Sequence, residues 1–454
     1  MKLSNILLTT CLACYTVLSG STVYGQTPAP IKIWIPGWKQ TTPLNTARAG
    51  AAVVEKGNKL YVLGGIDGRD FLATTEMATV QTDGPLSSWQ LGHELNEPRG
   101  FHGAVVFNDF VYVVGGGNGP AGHNLLRSVE RASIQADGSL GPWRRESSML
   151  LLPRRCVKVV AYANRLYALG GFSGALLDSV ESAPILSDGT LGPWVLDSQA
   201  LTIPRYVHDA KLAGDTLWVV GGHREDQGVG LSQAETRQLS QPGSTWQAIT
   251  PLARGRYGLS LAVHTRFIYA LGGLDGAEFL RTIERLSRET PPSSNARWTP
   301  TGPLSSSRAN FSATFNGDVL YVIGGTNAMG YYDTVEYSTV NAHGELGFWG
   351  TRDDAKAFEK GDGGTQATIP LPTGNTGIIK ESISAGGYTY LRVDTQQGEQ
   401  WLATAQGDFP VDSHVTFSEG VKMTQFKSKS LSREFETIRF VSQVRIVGPG
   451  ASKK

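Results

Sequence analysis

Two sets of side chains in this 454-residue chain are placed to do chemistry, and they differ in regularity. The first comprises six arginines, Arg48, Arg99, Arg154, Arg205, Arg256 and Arg308, and six glutamates, Glu76, Glu130, Glu181, Glu235, Glu284 and Glu336. Guanidinium groups and carboxylates in such numbers could bind a polyanion. Their spacing argues against a reaction centre, because each Arg stands 17 residues before the second glycine of a Gly-Gly pair. A small asymmetric substrate needs different groups around it, whereas six equal sets serve architecture. Buried charges need partners, and Arg offers five donors to carboxylates and carbonyls, so this set is expected to be structural.

The second set is irregular. His102, Tyr206 with His208, Tyr257 and Phe311 follow the repeating arginines, while His223 and Arg224 follow a glycine pair. Aromatic faces with a few directed donors suit a glycan or a polypeptide segment, held by stacking and hydrogen bonds. Metal and nucleophile signatures are poorly represented: there is no His-x-x-x-His or Gly-x-Ser-x-Gly, and the one Cys-x-x-Cys, Cys11-Leu12-Ala13-Cys14, lies within the apolar N-terminal run. No catalytic residue, metal or cofactor is therefore expected.

The elements that must position these groups repeat. Six Gly-Gly pairs, ending at Gly65, Gly116, Gly171, Gly222, Gly273 and Gly325, lie 51, 55, 51, 51 and 52 residues apart. An aromatic stands four residues before each second glycine, from Tyr61 to Tyr321, and a Trp follows each Glu, from Trp89 to Trp349. Between Arg and the glycine pair, two apolar runs flank a polar turn such as Asn316-Gly317-Asp318, which predicts a hairpin. Asp-Gly at 83–84, 137–138 and 188–189 turns the chain toward the Trp strand. In this order and at this period the unit resembles the kelch repeat, in which each copy is one four-stranded propeller blade.

The resemblance covers roughly residues 38–352 and implies an all-β, six-bladed kelch-type β-propeller over 31–352. Trp38, ten residues before Arg48, supplies one extra outer-strand signal, so residues 31–41 are expected to complete the last blade, with Trp349 as the alternative. In an antiparallel meander the loops before the Arg and after the glycine pair share one face. The seven irregular residues named above are expected to line that mouth.

Residues 1–25 read as a secretory signal peptide: Met1-Lys2, an apolar run from Ile6 to Leu18, and small residues before Gln26. That predicts a secreted or periplasmic protein with no transmembrane span and cleavage near Gly25. Cys11 and Cys14 would leave with it, so Cys156 has no internal partner. A formal net charge of +1 argues against nucleic acid. A monomer is expected.

Periodicity stops after Trp349. Residues 353–376 read as a charged, then Gly/Thr/Pro-rich linker, and 377–447 as a compact β module. Its strands are expected at 377–383, 388–394, 399–405, 415–420 and 438–447. The Tyr388-Thr389-Tyr390 strand, the Trp401 strand and the Ser428-x-x-Leu431-x-Arg433-x-Phe435 segment resemble small OB-fold-like domains of bacterial envelope proteins. The resulting reading is a non-enzymatic binding protein whose mouth engages a glycan, peptide or protein. The alternative is a carbohydrate-active enzyme similar to sialic acid mutarotase. The copper chemistry of galactose oxidase is set aside, because its ligand pattern does not map onto this chain.

Overall fold

A computed structural model describes residues 32–448 apart from 225–228, 289–295, 360–374, 386–387, 406, 418–420, 429, 432 and 442–443. The expected signal peptide lies outside the described residues. The first five sheets are four-stranded, antiparallel and each contiguous in sequence. The first contains Ala52–Lys56, Lys59–Leu63, Thr75–Thr79 and Gln90–Leu91. The next four begin with Gly103–Phe107, Lys158–Tyr162, Asp209–Ala213 and Ser260–Val263.

The sixth sheet, from Ser312–Asn316, mixes both ends of this region. Lys39–Thr41 pairs with residues 335–337, Leu346–Gly350 pairs with 339–340, and Ile33–Pro36 pairs with 347–350. The innermost strands contact one another in a closed cycle, with Ser312–Asn316 returning to Ala52–Lys56.

Local sequence explains these strands. Lys59–Leu63 is a short β-branched and aromatic run, buried at its last four positions. The turn Ala163-Asn164 has φ of 45° and 58°, the left-handed pair that a two-residue hairpin requires. The ring has no single core. Six apolar clusters each draw from two adjacent sheets, as when Val160, Leu169 and Val180 of the third meet Ala210, Leu217 and Val219 of the fourth.

Tryptophans staple these joints. Trp89 Nε1 donates to Thr42 O at 3.0 Å and Trp143 Nε1 to His93 O at 3.0 Å. In the sixth sheet this place is taken by Trp38, buried and donating to Pro303 O at 2.9 Å. Trp349 is instead 59% exposed and meets Trp34 edge-on at 5.4 Å.

The stretch expected as linker opens with a helix, Arg352–Glu359. Thr351 and Asp354 cap it reciprocally, Thr351 N–H to Asp354 Oδ2 at 2.7 Å and Asp354 N–H to Thr351 Oγ1 at 3.2 Å.

Beyond it, seven strands form one further sheet. Their order is Val421–Ser428, Arg433–Phe440, Gly398–Ala405, Tyr388–Thr395, Asn375–Ala385, His414–Phe417 and Val444–Gly448. The strand expected over 438–447 is therefore two, one pairing parallel to Gly398–Ala405 and the other antiparallel to His414–Phe417. The Met423–Phe426 segment, not assigned to a strand from sequence, forms an edge strand.

Candidate functional site

The repeating charges form the frame. Each Arg donates from Nη1 to the carbonyl of the first glycine of its own pair, at 2.8–3.1 Å, from Gly64 to Gly324. Nη2 reaches the Glu of the same sheet: Arg99–Glu130 2.6 Å, Arg205–Glu235 2.9 Å, Arg256–Glu284 2.6 Å and Arg308–Glu336 3.2 Å. Arg48–Glu76 and Arg154–Glu181 pair likewise. The carboxylate's other oxygen accepts a loop N–H, from Asn96 at 2.7 Å or Ala253 at 2.8 Å. Desolvation lowers the guanidinium pKa of Arg205 and Arg256, and the carboxylates oppose it.

The same arginines join neighbouring sheets. Each Arg carbonyl accepts the N–H of the second glycine of the preceding pair, as in Gly222 N–H to Arg256 O at 2.9 Å. A Cβ on Gly221, at φ +66°, would lie 2.5 Å from that carbonyl, so glycine is required.

The second position after each Arg closes the axis. Gly50, Phe101, Cys156, Val207, Gly258 and Asn310 all have φ between 51° and 64°. Their N–H groups bond from sheet to sheet: Phe101 to Gly50 O 2.7 Å, Cys156 to Phe101 O 2.6 Å, Gly258 to Val207 O 2.7 Å, Asn310 to Gly258 O 2.8 Å and Gly50 to Asn310 O 2.7 Å. A β-branched valine rarely adopts this conformation, so the ring holds Val207 there. Beneath lies a polar clasp. Lys158 Nζ is 3.2 Å from Asp209 Oδ1, Asp209 Oδ2 accepts from Leu261 N–H at 2.6 Å, and Ser260 Oγ accepts from Ala313 N–H at 2.9 Å. The axial cavity among these residues measures about 40 Å³, room for little more than water.

Three of the seven expected mouth residues sit in this layer rather than on the surface. His102, His208 and Phe311 all stand three positions after their Arg and are 5%, 1% and 6% exposed. Each tucks beneath the first glycine of the preceding sheet's pair, where a Cβ on Gly170 would come 2.8 Å from His208 Cε1. The imidazoles find no hydrogen-bond partner among the described residues. Burial, with Arg99 and Lys158 nearby, pushes His102 down to about 3. Burial, with Arg205 and Lys158, takes His208 well below its ordinary value.

These neutral imidazoles have a measurable consequence. The unfolded chain binds protons at the ordinary value of 6.5 while the folded chain does not. Stability should therefore fall as pH drops below 6.5, for His102 over the window down to about 3, and His208 acts in the same direction. Substituting His102→Phe and His208→Phe, the ring already present at Phe311, should flatten that slope in urea melts. An unchanged slope would contradict the buried neutral placement.

The position directly after each Arg joins the loop that follows a glycine pair. Ala49, Gly100, Arg155, Tyr206, Tyr257 and Ala309 bridge to Ile66, Gly117, Phe172, His223, Leu274 and Thr326, the residues that follow the glycine pairs. Sheets one, two and six present mostly small side chains there. Sheets three to five carry a continuous arc. The Arg155 guanidinium lies 5.7 Å over Phe172, Phe172 is 6.1 Å from Tyr206, Tyr206 is 5.5 Å from His223, and His223 is 4.7 Å from Tyr257. Their ring planes meet at 44°, 75° and 60°. Arg155 Nη1 donates to Gly122 O at 3.2 Å, and past Tyr257 Arg254 pairs with Asp275 and Glu278. Tyr206, His223, Arg224 and Tyr257 are half-buried.

The structure thus brings Tyr206, His223 and Tyr257 together, with Arg224 next to His223. It adds Arg155 and also Phe172, which sequence reasoning passed over. The available signal was the residue following each glycine pair, large only at Phe172, His223 and Leu274 within sheets three to five and at Ile66 outside them. Among the described residues no group of three or more His, Cys, Asp or Glu side chains could hold a metal ion. No helix among them is long and apolar enough to cross a membrane.

Comparison with known proteins follows the same architecture. The family profile described as "Kelch motif" matches residues 47–77 and 98–131. Alpha-scruin of Limulus polyphemus is 25% identical over 235 residues, covering 49% of this chain and 24% of that protein. Beta-scruin of the same animal is 28% identical over 239 residues, 50% of this chain and 25% of its own length. Kelch repeat and BTB domain-containing protein 12 of Homo sapiens is 29% identical over 186 residues, covering 38% and 29%. The matches span 24–29% of these relatives' own length. The solved structure titled "Structure of YjhT" superposes with a TM-score of 0.55 at 14% identity, covering 68% of this chain and 99% of that chain, a likeness of fold.

Proposed function

We propose that this chain, which belongs to the kelch-repeat family, is a non-enzymatic binding protein that holds a polypeptide segment at one sector of its propeller mouth. In this reading the six sheets are six blades, and the C-terminal sheet is an OB-like interaction module. One observation carries the proposal. Six otherwise equivalent loops differ in side chain, and the aromatic residues at the bridging positions gather over sheets three to five as a single arc. Rings inclined to one another present edges and hydroxyls, which match the donors and acceptors of a peptide turn better than one flat face would match a sugar.

The enzymatic alternative needs an acid–base pair free to act at the mouth. In this sector, burial raises the Asp275 carboxyl. That effect is outweighed by the Ala277 and Glu278 N–H groups and by Arg254, so it sits below its ordinary value and is already engaged. The test is an array of peptides, proteins and glycans probed with the full chain and with its Tyr206→Ala/Tyr257→Ala variant. Peptide or protein hits should vanish in the variant. Hits confined to glycans would turn the reading toward carbohydrate binding.

We also propose export through residues 1–25, on the strength of the Ile6–Leu18 run and the small residues after it. N-terminal sequencing of exported protein should begin near Gln26. Intact Met1 on that material would contradict it.

A further inference from the structure

Sheet three departs from its neighbours along its outer rim. In sheet two the surroundings of the frame glutamate are polar. Asn96 gives its N–H and its side-chain amide to Glu130 at 2.7 and 2.8 Å. Arg145, which pairs with Glu130 across the strands, lies 3.6 Å from Glu97. In sheet three the same three places hold Leu151, Leu152 and Leu196, which are 46%, 44% and 63% exposed. The Glu181 carboxylate accepts Leu151 N–H at 2.7 Å and Leu152 N–H at 3.3 Å. Glu181 also pairs with Leu196, and paired residues share a sheet face, so the three leucines form one patch. No other sheet has large apolar residues at both loop positions, which read Asn45-Thr46, Thr202-Ile203, Ala253-Arg254 and Ser305-Ser306 elsewhere.

The backbone beside the patch is open as well. Val195–Leu196 is the last strand of its sheet. Asp197 N–H turns inward to Val180 O at 2.8 Å, so the alternation of an antiparallel ladder directs Leu196 N–H and C=O away from the sheet. Other sheets guard this edge. Arg144–Arg145 puts charge there in sheet two, Pro300 stands there in sheet five, and Ile33–Pro36 covers it in sheet six.

Three half-exposed leucines offer on the order of 200 Å² of apolar surface. A stable dimer needs roughly 800 Å² from each partner, so a second copy of this chain is not the occupant that the rim fits. An outward N–H and C=O flanked by leucines fit a narrower one, an extended segment that adds a strand and lays alternate side chains on the patch. We propose that the outer edge of sheet three is a second docking site, for an extended polypeptide segment of an outside partner with large apolar residues at alternate positions. This site is separate from the arc and does not rest on the arc's binding a partner.

A random peptide library displayed on phage tests it, selected on the full Tyr206→Ala/Tyr257→Ala chain so that the arc takes no part. Recovered peptides should carry apolar residues at every second position. A chain with the further changes Leu151→Asn, Leu152→Glu and Leu196→Arg, the set that sheet two carries, should bind them at least about tenfold more weakly. Its melting temperature should not fall, because sheet two is built with those residues. Should that chain fail to fold, Leu196→Arg alone, at an exposed position, gives the same readout. No enrichment, peptides without the alternation, or binding untouched by these changes would overturn the proposal. So would a dimer in sedimentation velocity that Leu196→Arg abolishes, since the edge would then belong to a second copy. These outcomes leave the arc reading untouched, because that reading is judged on whether Tyr206→Ala/Tyr257→Ala abolishes binding of its own partner.

Discussion

Replacing Arg256 by methionine should destabilise the propeller by about 3–5 kcal/mol, the cost of breaking a buried ion pair from one side. The guanidinium has no exposed surface. It bonds to Glu284 at 2.6 Å and to the carbonyls of Gly272 and Thr282 at 3.1 and 3.0 Å. Methionine fills much of the space but leaves the buried Glu284 carboxylate without its counter-charge, held only by the Ala253 N–H, and takes one donor from each of the Gly272 and Thr282 carbonyls. The Arg256 carbonyl also receives Gly222 N–H from the fourth sheet, so the loss falls on an inter-sheet joint. The double change Arg256→Met/Glu284→Leu should cost less than the single one, because it removes the uncompensated charge. Urea melts measure both. A loss under about 1 kcal/mol for the single variant would mean that the pair is not buried as described.

The frame was readable because its parts are constrained by backbone geometry. The period, the glycine pairs and the Arg–Glu set recur wherever a carbonyl must approach a Cα closely, and that requirement is visible in one letter per repeat. The mouth was readable only in part. Topology placed the post-Arg and post-glycine loops side by side, as their bridges show, but it did not say which residue of each loop is buried.

The answer lies in a register of three. One position after Arg bridges to the post-glycine loop, half-buried at Tyr206 and Tyr257, the second turns left-handed, and the third is buried at His102, Val157, His208, Leu259 and Phe311. His102, His208 and Phe311 share the third position with Val157 and Leu259, and that apolar company was the overlooked signal. An imidazole suggested a ligand, whereas desolvation makes it a neutral filler here. The tryptophan signal was ambiguous for another reason. Trp38 and Trp349 are both near the end of a repeat, and pairing of residues 39–41 with 335–337 decides which one is buried. In the C-terminal sheet no spacing rule announced that residues 433–440 and 444–448 would part to different neighbours.

The second large effect concerns binding. Aromatic residues at the centre of an interface each cost at least about 2 kcal/mol when truncated. Tyr206 and Tyr257 flank His223 at 5.5 and 4.7 Å, so removing both dismantles the arc and leaves its frame in place. The Tyr206→Ala/Tyr257→Ala chain should therefore bind the partner selected on the array at least about a hundredfold more weakly. Its melting temperature should stay close to that of the unaltered chain, because both rings are half-buried and neither belongs to an inter-sheet cluster.

Lys56→Ala with Asp109→Ala, in turns of the opposite face, is the matched control, since this pair at 3.5 Å is solvent-exposed. Isothermal titration of the three chains with that partner is the most direct measurement of the central claim. The account predicts loss of affinity in the Tyr206→Ala/Tyr257→Ala chain alone. Unchanged affinity there, with loss in the Lys56→Ala/Asp109→Ala chain, would contradict it.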